Sequence, residues 1–94
     1  MEYEWDENKN KINLAKNGLS FITAQMVFDD LNALSIQDRH EDGEERWQTI
    51  GLIGGVAILL VAHTYRERNG AEVTRIISAR KANKQEKKRY EQGY

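Results

Sequence analysis

The chain predicts an α+β domain: two N-terminal helices, a four-stranded antiparallel meander sheet and a C-terminal helix. Three observations carry that expectation. Behind the capping residues Asp6 and Ser20, apolar side chains recur at helical spacing. From Ala33 to Ala79 the pattern changes to strand-like segments, divided by the turn pairs Gly54-Gly55 and Asn69-Gly70. From Lys81 to about Gln92 the chain becomes strongly charged, as a solvent-facing helix is.

In chain order, Glu2 to Trp5 reads as a short edge strand. Asp6 caps a first helix running to about Lys16, ended by Asn17-Gly18, with Ile12 and Ala15, helped by Leu14, as its inner stripe. Ser20 caps a second helix from Phe21 to about Phe28, where Phe21, Ala24, Val27 and Phe28 face inward and Ile22 with Met26 widens the buried face. Ala33 to Asp38 alternates as a half-buried strand, and the charged stretch from Arg39 to Glu45 turns at Gly43. Arg46 to Ile53 and Val56 to Tyr65 form a hairpin across Gly54-Gly55, a pair that accepts the positive φ of a tight turn. Val56 to Ala62 is apolar on both faces, as a central strand is when helices cover one side and a partner or the C-terminal helix covers the other. Glu72 to Ala79 is the last strand, and Lys81 to about Gln92 the last helix.

Ninety-four residues, 39% hydrophobic and 31% charged, suffice for one domain spanning 1–94 and a single modest core. A chain of this size gains stability from any partner that covers more apolar surface. The sequence has neither cysteine nor proline, which excludes thiol catalysis and thiolate zinc sites. With no disulfide framework and no leader-like N-terminus, a cytoplasmic location is expected. The apolar run from Ile50 to Ala62 carries three glycines and falls short of the roughly 20 residues a spanning helix requires, so no membrane contact is expected. Charge is unevenly spread. Residues 1–47 hold eleven Asp/Glu against five Lys/Arg, and residues 48–94 hold four against nine. The basic half suits a phosphate backbone; the acidic half suits a basic segment of a partner.

Several pieces, in order, resemble one family. They are Glu4-Trp5-Asp6-Glu7-Asn8-Lys9; Asn17-Gly18-Leu19-Ser20-Phe21 with Ala24 and Phe28; Gly43-Glu44-Glu45-Arg46-Trp47 with Ile50-Gly51; and His63-Thr64-Tyr65-Arg66, Arg75 to Arg80 and Tyr90-Glu91. Together they are similar to the BrnT family of bacterial type II toxins, small ribonucleases with a RelE-like fold. The resemblance covers nearly the whole chain. It implies an RNA-cleaving toxin that blocks translation and growth, held by a BrnA-type antitoxin with a ribbon-helix-helix DNA-binding part. DNA would be reached only through that antitoxin, and a homodimer within the complex belongs to the same expectation. The reading from another class is a non-catalytic RelE-like module that binds an antitoxin or RNA without cutting it.

Metal-free RNA cleavage needs a base for the 2′-hydroxyl, an acid for the leaving 5′-oxygen and fixed cations for the phosphate oxygens. His63 is the natural acid or base, since imidazole titrates near neutral pH. On residue type alone a sheet histidine bonded to a backbone group is the favoured reading; the family's His-Thr-x-Arg pattern reverses that preference toward the catalytic role, and a place at the rim of a central strand is expected. Arg66, Arg75 and Arg80 are the candidate cations. By period-two alternation Arg75 and Arg80 fall on opposite faces unless a bulge intervenes. Arg75, within an apolar strand, must face a groove or pair with an acid such as Glu45. Tyr90 is a candidate to orient the 2′-hydroxyl or to anchor its helix. Arg46, Trp47, Lys81 and Lys84 complete the set as RNA-binding candidates; Trp47 offers a stacking surface, although a lone tryptophan more often belongs to a core or a partner interface. Glu44 and Glu45 are the acids that the resemblance keeps as general-base candidates. His40 is expected to be solvated and Trp5 to pack in the core. Two distant histidines and scattered acids show no metal-ligand spacing, so neither metal nor cofactor is expected.

Overall fold

The computed structural model, which describes residues 2–93, contains β1 (Glu2–Glu4), α1 (Glu7–Asn17), α2 (Phe21–Ala24), a 3-10 turn (Gln25–Asp29), β2 (Leu34–Glu41), β3 (Glu44–Ile53), β4 (Ala57–Arg68), β5 (Ala71–Lys81) and α3 (Lys84–Gln92). The strands lie in the order β1-β5-β4-β3-β2. β2 to β5 form the expected antiparallel meander. The expected four-stranded count is corrected to a mixed, five-stranded sheet. β1 joins parallel to β5, with Glu2 opposite Val73, Tyr3 opposite Thr74 and Glu4 opposite Arg75. Three residues are too few to show alternation, and their pairing satisfies backbone groups that would otherwise lie open along the edge of β5.

Local chemistry places the helix ends where expected. The Asp6 carboxylate accepts from the backbone N–H groups of Asn8 and Lys9, and Gly18, at φ +71°, closes α1. The inner side of α1 is nevertheless polar. Ile12 is 65% exposed and Leu14 is 51% exposed. The buried side chain is Asn13, one of three amides, Asn10, Asn13 and Asn17, that recur at helical spacing and point inward. Asn13 donates to Ala79 O at 2.9 Å and accepts from Ala79 N at 3.1 Å, while Asn17 also donates to Ala79 O. Beyond the end of β1, an amide side chain thus continues the ladder along β5. Apolar periodicity could not reveal this, because hydrogen bonds and not apolar burial hold the helix in place.

The second helix is also shorter than expected. α2 gives way to a 3-10 turn after Ala24. Phe21, Ala24 and Val27 are fully buried, but Ile22 and Met26 face outward, so the buried stripe is narrower than the run of apolar residues suggests. The turn brings Val27 onto Gly51, where a Cβ would lie 2.8 Å from Val27 Cβ and 2.9 Å from its carbonyl oxygen. Only glycine fits there. Phe21, Ala24 and Val27 cover Leu59, Val61, Ile76 and Ala79 on one face of the sheet, with Tyr3, Trp5 and Phe28 around them. On the other face Ile50, Leu60 and Ala82 pack with Ile36, Ile58 and Tyr90. α3 covers that face only at one end.

β2 extends through Arg39 and His40 to Glu41, and the hairpin turn falls at Asp42-Gly43, where a charged loop from Arg39 to Glu45 was expected. The Asn69-Gly70 turn has both residues at positive φ, as expected. One irregularity matters most. Ala62 lies opposite Ser78, but His63 lies opposite Ile76, leaving Ile77 as an extra residue in β5. This is a β-bulge.

Removing the Asn13 amide tests the polar seam. Asn13→Ala removes the acceptor of the Ala79 N–H and one of the two amide donors to Ala79 O, leaving Asn17 as the other, so it should lower unfolding stability by about 2 kcal/mol. Urea denaturation should show a lower midpoint with an unchanged slope.

Candidate functional site

The bulge decides which side chains share a surface. Thr64 lies opposite Arg75, Ala62 opposite Ser78 and Leu60 opposite Arg80. Residues 60, 62, 64 and 66 alternate onto one face of β4, so their partners Arg75, Ser78 and Arg80 face the same way. Without Ile77 as an extra residue, Arg75 and Arg80 would lie on opposite faces. Arg66 belongs to this face, and so does Arg46, two positions from Gln48, which lies opposite Ala62. Four sequence-predicted cations therefore share the face that α3 leaves partly open.

Carboxylates hold Arg66, Arg75 and Arg80. Arg66 reaches Glu44 through Nε at 3.2 Å and Nη2 at 3.4 Å. Glu4 takes Arg75 at 3.0 Å and Arg68 at 2.7 Å. Glu4, and not the expected Glu45, is the acid beside Arg75. Burial opposes ionisation of Glu4, but the hydrogen bond from Arg75 and the charge of Arg68 outweigh it, holding its carboxyl below the ordinary range. Arg80 is held in a fork by Glu86, with bonds of 2.7 and 2.9 Å. That fork pushes Arg80 up and Glu86 down from their ordinary values. Glu86 also closes the Asn83 capping box at the start of α3, so one carboxylate fixes both the helix and the arginine. The Asn83-Lys84-Gln85-Glu86 pattern was the signal in the sequence for this contact.

Tyr90 anchors α3. Its hydroxyl donates to Asp30 Oδ2 at 2.6 Å, and the same oxygen accepts from the Leu52 N–H. Hydrogen bonding to Asp30, with burial second, pushes the phenol up to about 12. It is a neutral donor at physiological pH. Lys81 lines a cleft of about 310 Å³ with Val56 and Lys87 at the α3 end, and Lys84 lies on the outer side of α3.

His63 is not at the rim. It points to the helix-covered face and is fully buried. Its Nε2 is 2.7 Å from Thr49 Oγ1, which lies 2.8 Å from Ser35 Oγ. The rings of Phe28 and Tyr65 stand edge-on to it at 5.0 and 5.1 Å. Among the described residues its Nδ1 has no hydrogen-bond partner. Burial lowers its pKa from 6.5 to about 4, so the imidazole is neutral and inside the core. The apolar run to Ala62 hid this, because the central strand stays covered two residues beyond its last aliphatic side chain, through Thr64. Trp47 lies opposite His63 on that same face and meets Tyr65 at 5.9 Å. Glu44, Glu45, Trp47 and Tyr65 border a cleft of about 370 Å³ at the Asp42-Gly43 end. The sequence-predicted residues therefore divide: Arg46, Arg66, Arg75 and Arg80 share one face, while His63 and Trp47 lie on the other.

A family model described as "Ribonuclease toxin, BrnT, of type II toxin-antitoxin system" matches residues 5–86. The crystal structure of the Brucella abortus ribonuclease toxin BrnT is similar, at 32% sequence identity and a TM-score of 0.68, covering 89% of this chain and 99% of that one. A comparison with curated proteins finds no significant match.

Because the unfolded chain binds the His63 proton more tightly than the folded one, the buried neutral imidazole contributes its stability in full above pH 6.5 and loses it as pH falls toward about 4. The loss should be on the order of 3 kcal/mol. Denaturation of the wild type across that window should show the decline, and His63→Gln should flatten its upper part.

Proposed function

The chain belongs to the BrnT family of ribonuclease toxins of type II toxin–antitoxin systems, and from that premise we propose that it cuts RNA on the arginine face of its sheet, without a metal ion. The observation that carries this reading is the alignment of Arg46, Arg66, Arg75 and Arg80 on one face by the bulge at Ile77.

The ribose 2′-oxygen forms a bond to the adjacent phosphorus as the bond to the 5′-oxygen breaks. The 2′-proton passes to a base and the leaving oxygen receives one, giving a cyclic phosphate and a free 5′-hydroxyl. Guanidinium groups in a row offer forked donors to the non-bridging oxygens where negative charge builds. The carboxylate partner of Arg66 is exchangeable. Exposed ion pairs contribute only about 0–1 kcal/mol, so an incoming phosphate displaces Glu44 from Arg66 at small cost. Glu44, freed beside the bound phosphate, is then the carboxylate placed to take the 2′-proton. His63, buried on the opposite face, supports the strand that carries Thr64 and Arg66.

A type II toxin has an antitoxin partner. In this reading that partner is of the BrnA type, with a ribbon-helix-helix part that carries the complex to DNA. A basic segment of it meets the acidic N-terminal half of the chain, RNA cleavage inhibits translation, and the toxin acts in the cytoplasm. Among the described residues no helix is long and apolar enough to cross a membrane.

One observation favours the second reading, a module that binds without cutting: Arg66, Arg75 and Arg80 already hold carboxylates, and the imidazole is out of reach of solvent. Cleavage of RNA by the purified chain in excess chelator separates the two. Cleavage leaving cyclic phosphate ends is expected, with Arg75→Ala and Arg66→Ala each reducing the rate by about 10²-fold or more while keeping the native circular dichroism. A folded wild type that binds RNA or an antitoxin but leaves RNA intact would establish the module instead.

A further inference from the structure

The row of arginines does not end at the edge of β5. The bulge residue Ile77 and its neighbour Ser78 line a cleft of about 200 Å³ together with Lys9, Ile12, Lys16 and Asn17 of α1. Ser78 lies between Arg75 and Arg80 in β5 and faces the same way as both. The cleft therefore opens from the arginine face and leads over the sheet edge onto the helix.

We propose that this cleft is a second phosphate-binding site, which holds the backbone of single-stranded RNA flanking the cleavage site. The inference rests on the ribonuclease reading and extends it by a subsite. Five observations support it. Lys9 and Lys16 are seven residues apart, about 10 Å along the helix, and both line the cleft. Unlike Arg66, Arg75 and Arg80, neither lysine has an acidic partner among the described residues. Ile12 lies between them and is 65% exposed, offering an apolar contact to a ribose or base. The amide of Asn13, bonded to both backbone groups of Ala79, fixes α1 against β5, so the cleft is built on rigid elements. Ser78, exposed in the same cleft, adds a hydroxyl.

The geometry favours RNA over an acidic protein segment because the cleft continues a row of cations and is too small for a folded partner. Two mobile ammonium groups grip a backbone without reading bases, so the site contributes affinity and path, with no sequence preference.

The test uses the full chain and its Lys9→Gln/Lys16→Gln double variant. Binding of a fluorescent RNA oligomer carrying 2′-O-methyl groups, which resists cleavage, is measured across a salt series, beside cleavage of the unmodified RNA. The variant should bind more weakly at every sequence tried. Its slope of log affinity against log salt should be shallower by about 1.4, the effect of two lost phosphate contacts on a single strand. KM should rise while kcat stays near the wild-type value. Unchanged affinity and slope in a variant with wild-type melting temperature would overturn the proposal. So would unchanged RNA binding with weakened antitoxin binding, which would assign the cleft to the protein partner. A wild type that neither binds nor cuts RNA would instead reject the ribonuclease reading itself, and the subsite with it.

Discussion

One extra residue in β5 is the constraint on which the arginine face depends. Period-two alternation is strict in a regular strand, so two side chains five positions apart point to opposite sides. Ile77 breaks that count, and Arg75 joins Arg80 on the face of Arg66 and Arg46. A bulge in the last strand of a meander needs support on its outer edge. β1 pairs with Val73 to Arg75 just before it, and the Asn13 amide pairs with Ala79 just after it. The irregular segment is thus held at both ends, with its own edge left open beside α1.

The same economy governs charge. A row of arginines on a small sheet repels itself and would weaken the fold, yet three acids distribute that charge over contacts that also organise the chain. Glu4 ties β1 to Arg75 and Arg68; Glu86 joins Arg80 to the capping box of α3; Glu44 holds Arg66 across the hairpin. These pairs keep the cations oriented before any substrate arrives. The exposed Arg66–Glu44 pair is weak enough to exchange for phosphate, whereas Glu4 and Glu86, themselves largely buried, hold Arg75 and Arg80 more firmly in place. The near-neutral total charge of the chain is compatible with a locally cationic track.

Much of the architecture was legible. The Gly54-Gly55 and Asn69-Gly70 turns, the Asp6, Ser20 and Asn17-Gly18 helix boundaries and the apolar central strand all express local rules that a sequence displays directly. What escaped depends on contacts distant in the chain. The inward amides of α1 are recognisable only once the edge of β5 is beside them. The split of the second helix reflects Val27 meeting Gly51, twenty-four positions away. The bulge has no composition of its own, since Ile76-Ile77-Ser78 reads as ordinary strand. Among the candidate residues, type and rough position selected four arginines that share a face. The exposure of His63 could not be judged, because it depends on how far Phe28 and Tyr65 extend the cover of the helix face.

The central claim is that RNA meets the arginine face and not the face of Trp47 and Tyr65. The most direct measurement is a nuclear magnetic resonance titration of the labelled chain with a cleavage-resistant RNA, following arginine side-chain N–H signals and the tryptophan indole N–H signals together. The account predicts that Arg46, Arg66, Arg75 and Arg80 shift with a common affinity while the Trp47 indole stays in place. Movement of the Trp47 signal with the four arginines unchanged would contradict it.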